Sequence, residues 1–174
     1  MRRSVLTILF CGFLASSVFG QEFEKPSKHH EQLKKDVGKW TSSMTMKAGP
    51  EMPPMPGTEV NELMPGGMWL ISKFDMGPFK GHGIFGYDSK KKKHVGVWVD
   101  TSTSHVTNFE GDVDEKGVMT MIGTSRNAMT GKLEKIKSVT QMTGKDSKKF
   151  EMYSQGEDGK WTPTFVIDYK RVKE

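Results

Sequence analysis

From Trp40 onward, apolar and polar side chains alternate with a period of two, and clusters of Gly, Pro, Asp and Asn interrupt the alternation. Period two sends successive side chains to opposite faces of a strand, so the pattern predicts half-buried antiparallel strands joined by tight turns. About ten strands are predicted, at 40–47, 58–64, 68–75, 79–87, 93–100, 104–113, 118–125, 133–143, 148–155 and 160–172. The first places Trp40, Ser42, Met44 and Met46 on one face. The last alternates Trp161, Pro163, Phe165, Ile167 and Tyr169 with Thr162, Thr164, Asp168 and Lys170. Between the first two strands runs A-G-P-E-M-P-P-M-P-G, whose prolines lack amide donors and which is therefore read as a loop.

The stretch before the strands has another period. Leu33, Val37 and Trp40 fall at i, i+4 and i+7, which predicts a short helix over 31–37 ended by Gly38. So short a helix is marginal alone, so it is expected to pack as a lid or plug on one end of a sheet. Residues 21–30 are largely polar, carry Pro26 and are expected to form a flexible leader.

Short turns between successive strands exclude parallel pairing, which needs long crossovers. The predicted fold is thus all-β, an antiparallel up-and-down meander with one short N-terminal helix. Closing such a meander into a barrel removes its two unpaired edges. A barrel of that strand number has more interior than side chains usually fill, so a ligand cavity is expected.

The N-terminus has the character of a targeting segment. Arg2 and Arg3 precede an apolar run over 5–19, and cleavage is expected after Gly20 or, as second choice, Ser17. The run is short for a membrane anchor, and no basic stop-transfer cluster follows it at once. Lipidation of Cys11 is disfavoured by Phe10, where a small residue is needed. Cleavage would remove the chain's one cysteine, and with it disulfides, thiolate nucleophiles and cysteine-held metals. A single barrel domain over 31–174 is expected in the periplasm or outside the cell, without a stable membrane anchor.

The formal net charge is +5, two of it from Arg2 and Arg3. The one dense basic run, Lys90 to Lys93, falls at a hairpin tip and reads as a solvated turn, so no nucleic-acid partner is expected.

Read in order, L-x-x-x-V-G-x-W (33–40), G-T-E (57–59), G-G-x-W-L (66–70), G-x-G-x-x-G-Y-D (81–88), W-V-D (98–100), M-T-G-K (129–132) and I-D-Y-K-R (167–171) resemble a bacterial secreted family known as domain of unknown function 1579. The resemblance implies a lipocalin-like, calycin-type barrel. It brings no activity, cofactor or catalytic residues.

Three groups of residues invite chemistry. The glycines Gly81, Gly83 and Gly86 match a dinucleotide-binding spacing, but a Tyr-Asp turn follows where a helix is required. They are read instead as making room for a bulky neighbour, with Trp98 the candidate. Next, pairing Asp100 with Ser104 would put His94, Trp98, Asp100, Asn108 and Glu110 on one face, with Val95, Val97, Val99 and Phe109 on the other. A one-residue change of register breaks that set. Facing inward it would orient a ligand or supply a His/Glu acid–base pair; facing outward it is a solvated face. Finally, thirteen methionines are several times the usual share. With His29 and His30 they raise a copper reading, against the ordinary role of methionine as filler of irregular cores.

Neither a G-x-S-x-G elbow nor H-E-x-x-H is present. The leading expectation is a barrel that binds a small apolar ligand, with no cofactor, and with Trp98, His94, Asp100, Asn108, Glu110, Glu62 and Trp69 as candidate contacts. Alternatives are a small acid–base enzyme using His94 with Glu110 or Glu62 with Asp100, and an envelope protein that binds partners through its Pro/Met loop.

Overall fold

The computed structural model describes residues 24–127 and 130–173. The apolar run, Cys11, both cleavage positions and Met129 of the M-T-G-K run lie outside the described residues. A 3₁₀ turn at Lys28–His30 leads into α1 at Glu31–Lys34. Ten strands follow: β1 (Gly38–Met46), β2 (Met55–Leu63), β3 (Trp69–Met76), β4 (Phe79–Asp88), β5 (Lys93–Asp100), β6 (Thr103–Val113), β7 (Met119–Arg126), β8 (Leu133–Gly144), β9 (Ser147–Gln155) and β10 (Trp161–Arg171).

Each strand pairs antiparallel with its neighbours in sequence, and β10 closes against β1. The predicted up-and-down barrel is the fold observed. Closure gives every strand two partners, so no edge is left for a foreign strand.

The inner face carries the predicted alternation of β1: Trp40, Ser42 and Met44 are buried and Met46 packs against them. They meet Phe74, Ile167 and Tyr169 in a core on the β1–β3 and β10 side of the barrel. Trp98 fits the glycines as expected. A Cβ on Gly81 would stand 2.0 Å from its ring, and one on Gly83 3.1 Å. The ladder pairs Trp98 with Gly83 and Asp100 with Gly81.

Three local expectations are corrected. β2 begins inside the Pro/Met loop, at Met55, and takes in Pro56. Pairing with β3 starts only at Thr58, so Pro56 has β1 alone beside it and its missing amide leaves no ladder bond unmade on the other side. In β10 a bulge between Pro163 and Phe165 reverses the alternation. Pro163 pairs with Tyr153 and Trp161 with Gln155, and Lys137 lies 4.5 Å and 5.0 Å from the centres of the Tyr153 and Trp161 rings. Trp161 thus leaves the inner face that Phe165, Ile167 and Tyr169 share.

The third correction concerns the stretch expected to be a flexible leader. Ser27 caps the 3₁₀ turn, its backbone amide donating to His30 Nδ1 at 2.9 Å, and His30 is buried. The helix that follows is shorter than predicted but does plug one barrel end. Leu33 is buried there, and Gln32 donates to the Gly117 carbonyl at 3.2 Å. Trp40 Nε1 donates to the Asp36 carbonyl at 2.9 Å, and Arg171 Nη2 to that of Lys35 at 2.8 Å.

Candidate functional site

A cavity of about 640 Å³ runs through the barrel. One end is stopped by Leu33 and Asp36 of the N-terminal plug; the other reaches the exposed Ser102 and Arg126, which makes that end the mouth. The walls between are mainly apolar. Leu70, Phe74, Phe85, Trp98, Phe109, Ile136, Phe150 and Ile167 line them, with eight of the thirteen methionines: Met44, Met46, Met55, Met76, Met119, Met121, Met142 and Met152. Strand pairing sets the methionines against one another and against aromatics near the mouth. Met44 faces Met55, Met46 faces Phe165, and Met76 faces Phe79.

The floor under the plug is different. Lys148, on β9, is buried among apolar neighbours, its ammonium 2.6 Å from Glu59 Oε1 and 2.7 Å from Asp36 Oδ1. The Trp40 and Tyr169 rings flank the same ammonium, with centroids at 4.7 Å and 4.5 Å. Asn61 is 3% exposed, and its amide NH₂ donates to Glu59 Oε1 at 2.6 Å and to the Asp36 carbonyl at 3.2 Å. Its carbonyl oxygen has no hydrogen-bond partner. Two carboxylates therefore share one ammonium, and a buried acceptor stands beside them.

Electrostatics favours a charged Lys148 and a neutral Tyr169. Burial favours a neutral Lys148, but Asp36 and Glu59 outweigh it and raise its pKa above the ordinary 10.5. Burial first, then the charge and hydrogen bond of Glu59, raise the Tyr169 hydroxyl well above its ordinary 10. Neither group is poised to exchange a proton near neutral pH.

The polar face expected on β5 and β6 does not assemble. A bulge between Trp98 and Asp100 sets Trp98 opposite Thr107, Gly96 opposite Phe109 and His94 opposite Gly111. Asn108 and Glu110 consequently pair with Val97 and Val95 on the outer wall, and Phe109 turns inward. Of the expected contacts, Trp98 and Asp100 line the cavity, and Trp98 Nε1 donates to Asp100 Oδ2 at 2.9 Å. Trp69, Asn108 and Glu110 meet instead along a groove on the outer wall, and Glu110 pairs with Lys91. Glu62 is exposed and pairs with Lys73 at 3.4 Å. Neither proposed acid–base pair, His94 with Glu110 or Glu62 with Asp100, is formed.

His94 is buried beneath the plug, where its Nε2 lies 3.3 Å from the His29 carbonyl and its ring meets Tyr87 edge-on at 5.1 Å. His29 stacks on the other side of this group, 4.2 Å from the Tyr87 ring. These rings pack the plug onto β4 and β5. Burial holds His94 below its ordinary pKa of 6.5.

Sequence reasoning did not select Lys148, Glu59 or Asn61. A signal was present: Lys148 shares the inner-face parity of Phe150 and Met152, and Glu59 and Asn61 share that of Met55 and Gly57. A charged residue in an apolar register is an exception that asks for a partner. The partners lie on strands separated by β10 and β1, which parity alone does not join.

A family model described as protein of unknown function (DUF1579) matches residues 25–171. Among curated proteins none matches. One solved structure with similarity is that of a protein of unknown function from the DUF3598 family of Nostoc punctiforme, 7% identical over 84% of this chain and 100% of that one. Its TM-score of 0.23 is too low to add to the fold or the site.

Proposed function

We propose that this chain, which belongs to the DUF1579 family of unknown function, is a binding protein that holds a small, mainly apolar ligand inside its barrel. The observation that carries the reading is the cavity: about 640 Å³, walled by aromatic and thioether side chains with a few hydroxyls among them, and with charged groups confined to its ends. Its size falls within the few hundred to about 1,000 Å³ usual for small-molecule sites, and the division of apolar wall and sparse polar groups is theirs as well. Methionine suits a wall that adapts to ligands of differing shape, because its unbranched chain repacks at low cost. Binding is favoured over catalysis, since Lys148 and Tyr169 are both shifted away from proton exchange near neutral pH and the expected acid–base pairs lie apart. The apolar run at 5–19 supports export, and with it a ligand met in the periplasm or outside the cell.

The test is native mass spectrometry of protein purified from its source, then solvent extraction and identification of what is released. A bound small molecule is expected, as is saturable uptake of the neutral fluorophore N-phenylnaphthylamine with energy transfer from Trp98. Protein that carries nothing and leaves the fluorophore in water would overturn the reading.

A further inference from the structure

We infer that the floor of the cavity selects the ligand's polar end: it accepts a hydrogen-bond-donating head group, a hydroxyl or an ammonium, and rejects a carboxylate. The inference deepens the binding reading and rests on it. The floor's ammonium and amide donors are held by its own acceptors. Lys148 is held by Asp36 and Glu59, at 2.7 Å and 2.6 Å, and is flanked by the Trp40 and Tyr169 rings. The Asn61 amide group donates to Glu59 and to the Asp36 carbonyl.

Acceptors, by contrast, are in excess. The Asn61 carbonyl oxygen is buried at the cavity wall without a donor, although the side chain is 3% exposed. A carboxylate accepts through two oxygens and about four lone-pair positions, so Glu59 and Asp36 retain capacity beyond the bonds they make. The sign of charge agrees. Among the described residues lining this end, Asp36 and Glu59 face the single buried cation Lys148, while Lys35 is exposed and screened by solvent. An incoming carboxylate would meet two of its own kind with the ammonium already shared between them, which is unfavourable in a low-dielectric site. A hydroxyl or ammonium would meet acceptors that want it, with its alkyl chain along the methionine wall.

The experiment uses three probes of one chain length, decanol, decylamine and decanoate, each displacing N-phenylnaphthylamine from the full chain at pH 7. Decanol and decylamine are expected to bind about tenfold or more tighter than decanoate. In Asn61→Leu that preference is expected to shrink severalfold, with decanoate affinity unchanged. The preference is a ratio within one folded protein, so it stands even if the variant is less stable. Decanoate binding as tightly as the other two, or a preference untouched by Asn61→Leu, would overturn the head-group inference and leave the cavity reading intact. Binding of none of the three would overturn both.

Discussion

The two ends of the cavity solve opposite problems with opposite chemistry. At the floor, β1, β2, β9, β10 and the plug converge on a charged cluster in which nearly every donor has a fixed partner. At the mouth, Met46, Met55, Met76 and Phe79 meet across strand pairs by contact alone, and exposed polar residues form the rim. A directional network has few acceptable geometries, whereas thioethers have many. If the barrel binds a ligand as proposed, the floor is the end suited to selecting it and the mouth the end suited to adapting to it.

The comparison breaks most severely if Lys148 is cut. Lys148→Ala leaves Glu59 buried without its cation and the Asp36 carboxylate without its partner, and is expected to cost about 3–5 kcal/mol, read as a lowered midpoint in urea. A loss below about 1 kcal/mol would mean that the floor relaxes as freely as the mouth. Replacing both partners, Glu59→Leu with Lys148→Met, removes the buried charges together and is expected to restore most of that stability. Equal stability with altered head-group preference would place the value of the charges in recognition.

A smaller effect is expected at the wall. Gly81→Ala drives a methyl into the Trp98 ring and is expected to cost about 1–3 kcal/mol, with a shift in Trp emission and weaker probe uptake. At the mouth, Met55→Leu with Met76→Leu nearly conserves volume, so each is expected to cost under about 1.5 kcal/mol. What should change is the range of ligand shapes accepted, measured as affinity across branched and linear alcohols; an unchanged range would deny methionine its adaptive part.

The mildest test is pH. Burial makes His94 bind its proton less readily in the folded chain than in the unfolded one. Its contribution is therefore complete above the unfolded value of 6.5 and is lost as pH falls below it. The groups facing it are His29, His30 and Tyr87, with Asp112 the nearby carboxylate that favours its charged form. Stability followed by denaturant midpoint from pH 7.5 to 5 is expected to decline, and His94→Gln to flatten part of that decline. An identical slope in the variant would remove His94 from the plug's acid response.

Much of this was legible in the chain. Period two after Trp40, turns at short intervals and the absence of crossovers determine an antiparallel meander, because each signal is local and each excludes parallel pairing. The inner face of β1 and the fit of Trp98 to glycine follow from the same parity. Tertiary structure alone decided the register of β5 on β6 and the direction of Trp161, since one extra residue at a bulge reverses every side chain beyond it. It also decided the site. Asp36, Glu59, Asn61 and Lys148 span more than a hundred positions of sequence, and nothing short of barrel closure brings their strands to one floor.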